Sequence, residues 1–326
     1  MTLLEPAEPD APVSADEPPR GRPRGNRAAS WRGVARQLVR PPVRELTAAE
    51  AIRRAALGCL AMLMLATLAD ATVVGMLRHD RAQAQAFDRL RSDLANGTAP
   101  VGQTDVDGRL LDLGAPLSIL SIPAIGLKEV VLEGTTSSVL AQGPGHRRDS
   151  VLPGQAGVSI IAGRRAGYGA DFSRLDELAR GDVINVVGSQ GVQSFEVVGA
   201  RRPGDPVPVL KAGASRLTLM TASGPPFLPK DVLRVDAMLT SKVQPAPAPV
   251  LSSASLGADE APMAGQRDIG LPLFLWAQLL LLSLTGVVVL RRLWGRWQTW
   301  VVAVPLLGLA SLGVGHQFAL LLPNLM

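Results

Sequence analysis

The chain has 326 residues, a formal net charge of +5, 47% hydrophobic residues, one cysteine and three histidines. Its apolar residues gather in three blocks, which excludes a wholly water-soluble protein, and the lone cysteine and scattered histidines show no metal-ligand spacing. Phosphate-loop and dinucleotide patterns are absent as well, so the expectation is a membrane protein with one soluble domain, no cofactor and no metal.

Residues 1–50 are rich in Pro, Arg, Ala and acidic side chains without helical or strand periodicity, and are expected to be a disordered basic cytoplasmic tail. Its arginines, Arg20 to Arg44, precede a membrane span and have only Trp31 interleaved. That pattern suits orientation and anionic headgroups rather than nucleic acid. Residues 51–77, with the apolar block Ala55 to Leu77, predict a first transmembrane helix, in which Cys59 packs as a small apolar residue. Asp70 in that helix is costly unless it pairs with another element or reaches the interface. Residues 78–116 follow as a juxtamembrane helix and linker, with Phe87, Leu90 and Leu94 at helical spacing and a stop at Asn96-Gly97.

Residues 117–242 break into short strands between glycine and proline turns: Ser118–Ile122, Glu129–Leu132, Val158–Ile161, Val183–Val187, Gln193–Ala200, Arg216–Thr221 and Val232–Leu239. Such punctuation predicts a closed β-barrel, with a short helix over Asp171–Leu178. Residues 243–269 form a Pro, Ala and Ser linker, 270–290 a second span, 291–300 an Arg and Trp loop, and 301–322 a third span. Gln278 and His316 in the later spans are expected to face other helices. Arginines in the tail and in the 291–300 loop place both in the cytoplasm and the barrel outside, in a multi-pass plasma-membrane protein.

Within the barrel region, Pro153-Gly154-Gln155-Ala156-Gly157 leads into the apolar strand Val158–Ala162. Gly163-Arg164-Arg165-Ala166-Gly167-Tyr168-Gly169-Ala170-Asp171-Phe172 follows. Ile122-Pro123-Ala124-Ile125-Gly126, Gly143-Pro144-Gly145-His146, Leu217-Thr218-Leu219-Met220-Thr221 and Val235-Asp236-Ala237 stand around it in order. Over roughly residues 117 to 240 this pattern resembles the sortases, cysteine transpeptidases that attach secreted proteins to the bacterial cell wall or link pilins. The nearest likeness is to the actinobacterial housekeeping type, often called class E. The resemblance implies an all-β sortase-like barrel with short helices, joined here to three transmembrane α-helices.

The reactive positions depart from the family. Where the resemblance calls for a catalytic His stands Arg164, where it calls for the nucleophilic Cys stands Ala222, and where it calls for the catalytic Arg stands Val232. Period-2 alternation turns Ser223 away from Ala222, which makes Ser223 a poor fallback nucleophile. Arg234 shares a strand face with Val232 and, with Arg164, would make the cleft cationic; the plainer expectation is that both pair with surface acids. Arg165, His146 and Tyr168 complete the binding candidates, His146 being read as a structural loop residue.

Three functions are expected in turn. The first is a noncatalytic binding module for a secreted protein, a sorting-signal-like peptide or an active sortase. The second is a transpeptidase or acyl hydrolase using Ser223. The third is a structural membrane subunit whose spans matter more than its barrel.

Overall fold

The computed structural model describes residues 47–294 and 296–326, so nearly all of the expected disordered tail lies outside the described residues. The described residues begin inside the expected tail, and residues 48–50 are helical. Thr47 and Glu50 form reciprocal side-chain to backbone bonds of 3.3 and 3.0 Å, a capping box that starts helix α1 (Ala48–Ala69).

Helix α1 leaves large apolar side chains such as Leu60, Met64, Leu65 and Leu68 exposed, as a lipid-facing helix does. It passes through one π-helical turn, Asp70–Val74, into α2 (Gly75–Asn96), which ends on the left-handed Gly97 where the sequence predicts a stop. The spanning helix and the juxtamembrane helix are therefore one continuous rod. Helix α2 lies on the barrel: Ala86 and Leu90 pack against Val130, Leu132 and Val139. Gln83 receives the Val130 amide at 2.7 Å and donates to the Val130 and Gln142 carbonyls.

The barrel is closed, with strands β1 (Pro116–Ile122), β2 (Leu127–Glu133), β3 (Gly145–His146), β4 (Gly157–Ala162), β5 (Val183–Gly188), β6 (Gly191–Arg201), β7 (Ser215–Ser223) and β8 (Asp231–Leu239). Their order round the barrel is β1-β2-β3-β4-β7-β8-β6-β5. Pairs β2–β3 and β4–β7 are parallel and the rest antiparallel. All seven expected strands are present. The missed one, β3, is two residues long and too short to show a period; a one-turn helix α3 (Ser137–Leu140) precedes it. Alternation sends Leu120, Ile161, Leu219, Val235 and Ala237 inward with Phe172 and Phe195.

The expected helix over Asp171–Leu178 shrinks to a 3₁₀ turn at Leu175–Glu177. Its first backbone groups are used in closing the preceding loop, where the Phe172 amide donates to the Arg164 carbonyl at 3.0 Å.

Residues 243–269 are docked rather than a free tether. Gln103 Oε1 accepts the Val250 and Leu251 amides at 2.6 and 2.8 Å, and Thr135 donates to the Glu260 carbonyl. An extended, proline-rich backbone has free N–H and C=O groups for such side chains to use. Helices α4 (Gly270–Leu293) and α5 (Arg296–Leu321) follow and pack together. Among the described residues three helices are long and apolar enough to cross a bilayer: Leu60–Asn96, Gly270–Arg291 and Trp297–Leu321.

Candidate functional site

Strands β4, β7 and β8 lie side by side, with Ala162 opposite Met220 and Ala222 opposite Val232. While Ile161, Leu219 and Val235 fill the barrel, Ala162, Met220, Ala222 and Val232 turn outward into a second apolar cluster. Just past β4 the Gly163 amide donates to the Met220 carbonyl at 3.0 Å, which holds Arg164 at the same end of the strands. Positions 164, 222 and 232, far apart in sequence, thus converge on one cleft.

That cleft is filled by the chain itself. Leu140 from α3, Met263 from the docked segment and the fully buried Leu325 close over Ala222 and Val232. The Arg165 amide donates to the Leu325 carbonyl at 3.0 Å. Asn324, also fully buried, donates its side-chain amide to the carbonyls of Thr135 and Ala261 at 2.8 and 3.0 Å and its backbone amide to Ala264 at 2.8 Å. Sequence reasoning ends the third span at residue 322 and assigns no role to the residues after it. The available signal is Pro323, which stops α5, followed by a polar Asn that a lipid-facing helix does not need.

Arg164 is 2% exposed. Its Nη2 donates to the Ser137 carbonyl at 3.1 Å, and the guanidinium lies 5.0 Å from the centre of the Tyr168 ring. Burial pushes its pKa down to about 10, with Tyr168 and Asp171 opposing. The expectation that Arg164 pairs with a surface acid fails, because its hydrogen-bond partner is a buried carbonyl.

Tyr168 is buried too, and burial followed by the Asp70 carboxylate pushes its phenol pKa up. Its hydroxyl donates to Asp70 Oδ2 at 2.7 Å, while Asp70 Oδ1 receives Arg78 at 2.7 Å and His316 Nδ1 lies 3.0 Å from Oδ2. Asp70 thus joins α1, α5 and the barrel, meeting the expectation that it pairs with other elements. The π turn adds a backbone link, since the Tyr168 amide reaches the Ala71 carbonyl at 3.2 Å. Gly75 makes this approach possible, because a Cβ there would stand 2.8 Å from the Tyr168 ring.

The other candidates lie apart from this centre. Arg165 turns to the Gly224 carbonyl and, at 2.9 Å, to Asp176, which it holds below the usual carboxylate range. Arg234 is half-buried, with no side-chain hydrogen bond or ion pair among the described residues; its charged neighbours are Arg201, Asp236 and Arg147. The expected pairing of Arg234 with a surface acid is not formed among the described residues, and Arg234 has a different set of charged neighbours from Arg164. Nearby Asp236, fully buried, accepts from Thr218 at 2.6 Å and pairs with Arg201 at 2.5 Å. His146 is clamped between Glu133, 2.9 Å from Nδ1, and Ser150 and the Val151 carbonyl on Nε2, as a structural residue is. Ser223 donates its hydroxyl to Asp231.

The family model for the sortase domain matches residues 120–233. The barrel is a sortase domain. Sortase D of Bacillus subtilis is 33% identical over 87 residues, which are 27% of this chain and 42% of that protein. The match thus spans less than half the length of that relative. Among solved structures, the sortase D5 transpeptidase of Clostridium perfringens aligns at 20% identity and a TM-score of 0.42, covering 49% of this chain and 99% of that one. Sortase E1 from Streptomyces coelicolor, solved with a tripeptide in its active site, aligns at 25% identity and 0.35, covering 39% and 88%.

Proposed function

We propose that this protein is a noncatalytic, membrane-anchored sortase-domain protein. Its barrel stands outside the cytoplasm and binds an extended peptide segment of a secreted protein, or of an active sortase, at the β4–β7–β8 cleft. The observation that carries this reading is the content of that cleft. Acyl transfer by a cysteine transpeptidase needs a thiol and a proton carrier within hydrogen-bond reach. Ala222 offers no nucleophile, Val232 no donor, and Arg164 is a protonated guanidinium that cannot act as a base. The chain's histidines are engaged elsewhere: His146 with Glu133, His316 with Asp70, and His79 near Asp171 and Glu129. Arg291, Arg292 and Arg296, at the junction between α4 and α5 rather than in the ten-residue loop expected from sequence, support the external placement of the barrel.

The test is a peptide-cleavage and transpeptidation assay on the full chain in nanodiscs, with a library of sorting-signal peptides and binding followed on the same samples. Binding without turnover is expected, and turnover overturns the reading. One observation favours a second reading, in which Ser223 acts as nucleophile: its hydroxyl is hydrogen-bonded to the Asp231 carboxylate, which could take its proton. Turnover that is abolished in Ser223→Ala would establish that alternative; turnover unchanged in that variant would end it.

A further inference from the structure

Helix α2, strand β2 and the loop after β4 meet at His79, Glu129 and Asp171, a trio that no sequence spacing connects. His79 Nε2 stands 3.2 Å from Asp171 Oδ1 and 3.7 Å from Glu129 Oε2. One ligand-type atom from each of the three lies within 4.8 Å of the other two. The His79 and Asp171 side chains are 3% and 2% exposed, whereas Glu129 is 24% exposed and opens the site to one side. Zinc bonds of about 2.0–2.2 Å in a tetrahedron set neighbouring ligand atoms roughly 3.3–3.5 Å apart. The two measured separations bracket that value.

One further observation points to a ligand. Asp171 Oδ2 is buried without a hydrogen-bond partner, a state that buried polar atoms rarely keep, and a carboxylate can turn both its oxygens to one cation. The loop is also shaped round the imidazole: Gly169 has a φ of +84°, and a Cβ there would stand 2.7 Å from the ring.

A bare ion triad, with an imidazolium between two carboxylates, accounts for the short distances only in part. It leaves Asp171 Oδ2 unsatisfied, and it sets one positive charge against two carboxylates held close together. A divalent cation neutralises both carboxylates and accepts the neutral imidazole as a ligand.

We propose that His79, Glu129 and Asp171 bind a divalent transition cation of the zinc class, which fastens α2 to the loop that carries Arg164. The imidazole donor selects against calcium and magnesium, and two carboxylates with one nitrogen suit zinc better than a soft, thiolate-seeking metal. The three protein donors leave a fourth position on the Glu129 side for water. The site depends on the fold alone, and stands whether or not the cleft turns over peptides.

The test uses the full chain in detergent, stripped with a chelator and then dialysed against zinc. Mass-spectrometric metal analysis is expected to return about one zinc per chain. Cobalt in its place should give the visible bands of a four-coordinate site, and zinc should raise the unfolding midpoint of the stripped chain. Glu129→Gln, at the exposed ligand, is expected to weaken zinc binding by at least 10- to 100-fold while leaving the midpoint of the metal-free chain in place. His79→Ala should abolish stoichiometric binding; if that chain does not fold, the wild-type stoichiometry and Glu129→Gln decide. Wild-type protein that retains no zinc, with a midpoint indifferent to zinc and chelator, overturns the proposal. Equal zinc retention in Glu129→Gln and His79→Ala overturns it as well, by placing the metal elsewhere, and so does preference for calcium over zinc.

Discussion

Replacing Leu325 with alanine should unseat the segment that fills the cleft without unfolding the barrel. Leu325 is fully buried against Ala162, Met220, Ala222 and Val232, and truncating such a leucine costs about 2–5 kcal/mol. Residues 322–326 follow the last helix and are held to the barrel by a handful of hydrogen bonds, so the cost falls on local docking rather than on the barrel core. The undocked population should rise on the order of 30-fold to several-thousand-fold. A reporter can be placed at the deepest point: in a Cys59→Ser background, which removes the only native cysteine, Ala222→Cys sets a thiol under Leu325. Labelling by a water-soluble maleimide is expected to be slow with Leu325 in place and faster by that factor in Leu325→Ala. Equal labelling rates, with unchanged far-UV circular dichroism, would show that the segment does not cover the cleft in solution.

Three further outcomes follow from named contacts. Asp70→Asn removes the charge that buried Asp70 sets against the half-exposed Arg78 and weakens the bonds to Tyr168 and His316, and should lower the stability of the detergent-solubilised chain by about 1–3 kcal/mol, read as a fall in unfolding midpoint. Gly169→Ala combines a left-handed φ with contact on the His79 ring and should cost at least about 1–2 kcal/mol by chemical denaturation, whereas Gly181→Ala, at a left-handed turn with open space around it, should cost only the conformational part. In His146, burial works to lower the pKa but the Glu133 carboxylate outweighs it, so the folded value lies above the ordinary one of 6.5. The associated stability is therefore complete below about pH 6.5 and lost as pH rises through the folded value, each pH unit between the two values being worth about 1.4 kcal/mol. Melting of the wild-type chain should show that decline, and Glu133→Gln should make it shallower.

The strands were legible because alternating apolar residues between glycine turns have few other ways to bury themselves; Val158–Ile161 and Arg216–Thr221 fall inside β4 and β7. The place of the cleft was legible from the motif, since the residues around positions 164, 222 and 232 keep the turns and strands that bring those positions together. What lies over it was not. Leu325 and Met263 reach Ala222 through tertiary contacts across about a hundred and about forty positions, and neither carries a periodic signal. The surroundings of Arg164 are hidden for a related reason: an arginine in a loop is ordinarily solvated, and only the fold reveals the Ser137 carbonyl and Tyr168 ring that enclose it. The trio of His79, Glu129 and Asp171 shows no ligand spacing in sequence because each residue comes from a different element.

Residues 322–326 continue directly from α5, and their anchor points, Thr135, Ala261 and Arg165, belong to the barrel and its docked segment. A helix that shifts along its axis to match a thicker or thinner hydrocarbon layer therefore pulls on, or relaxes, the stopper in the cleft. Helices meet such mismatch at a cost of only fractions of a kcal/mol per Å. A stopper held by a few kcal/mol lies within reach of several ångströms of thickness change. Lipid composition would then set how often the groove stands open, and binding compared in short-chain and long-chain phosphatidylcholine would measure that mechanical link.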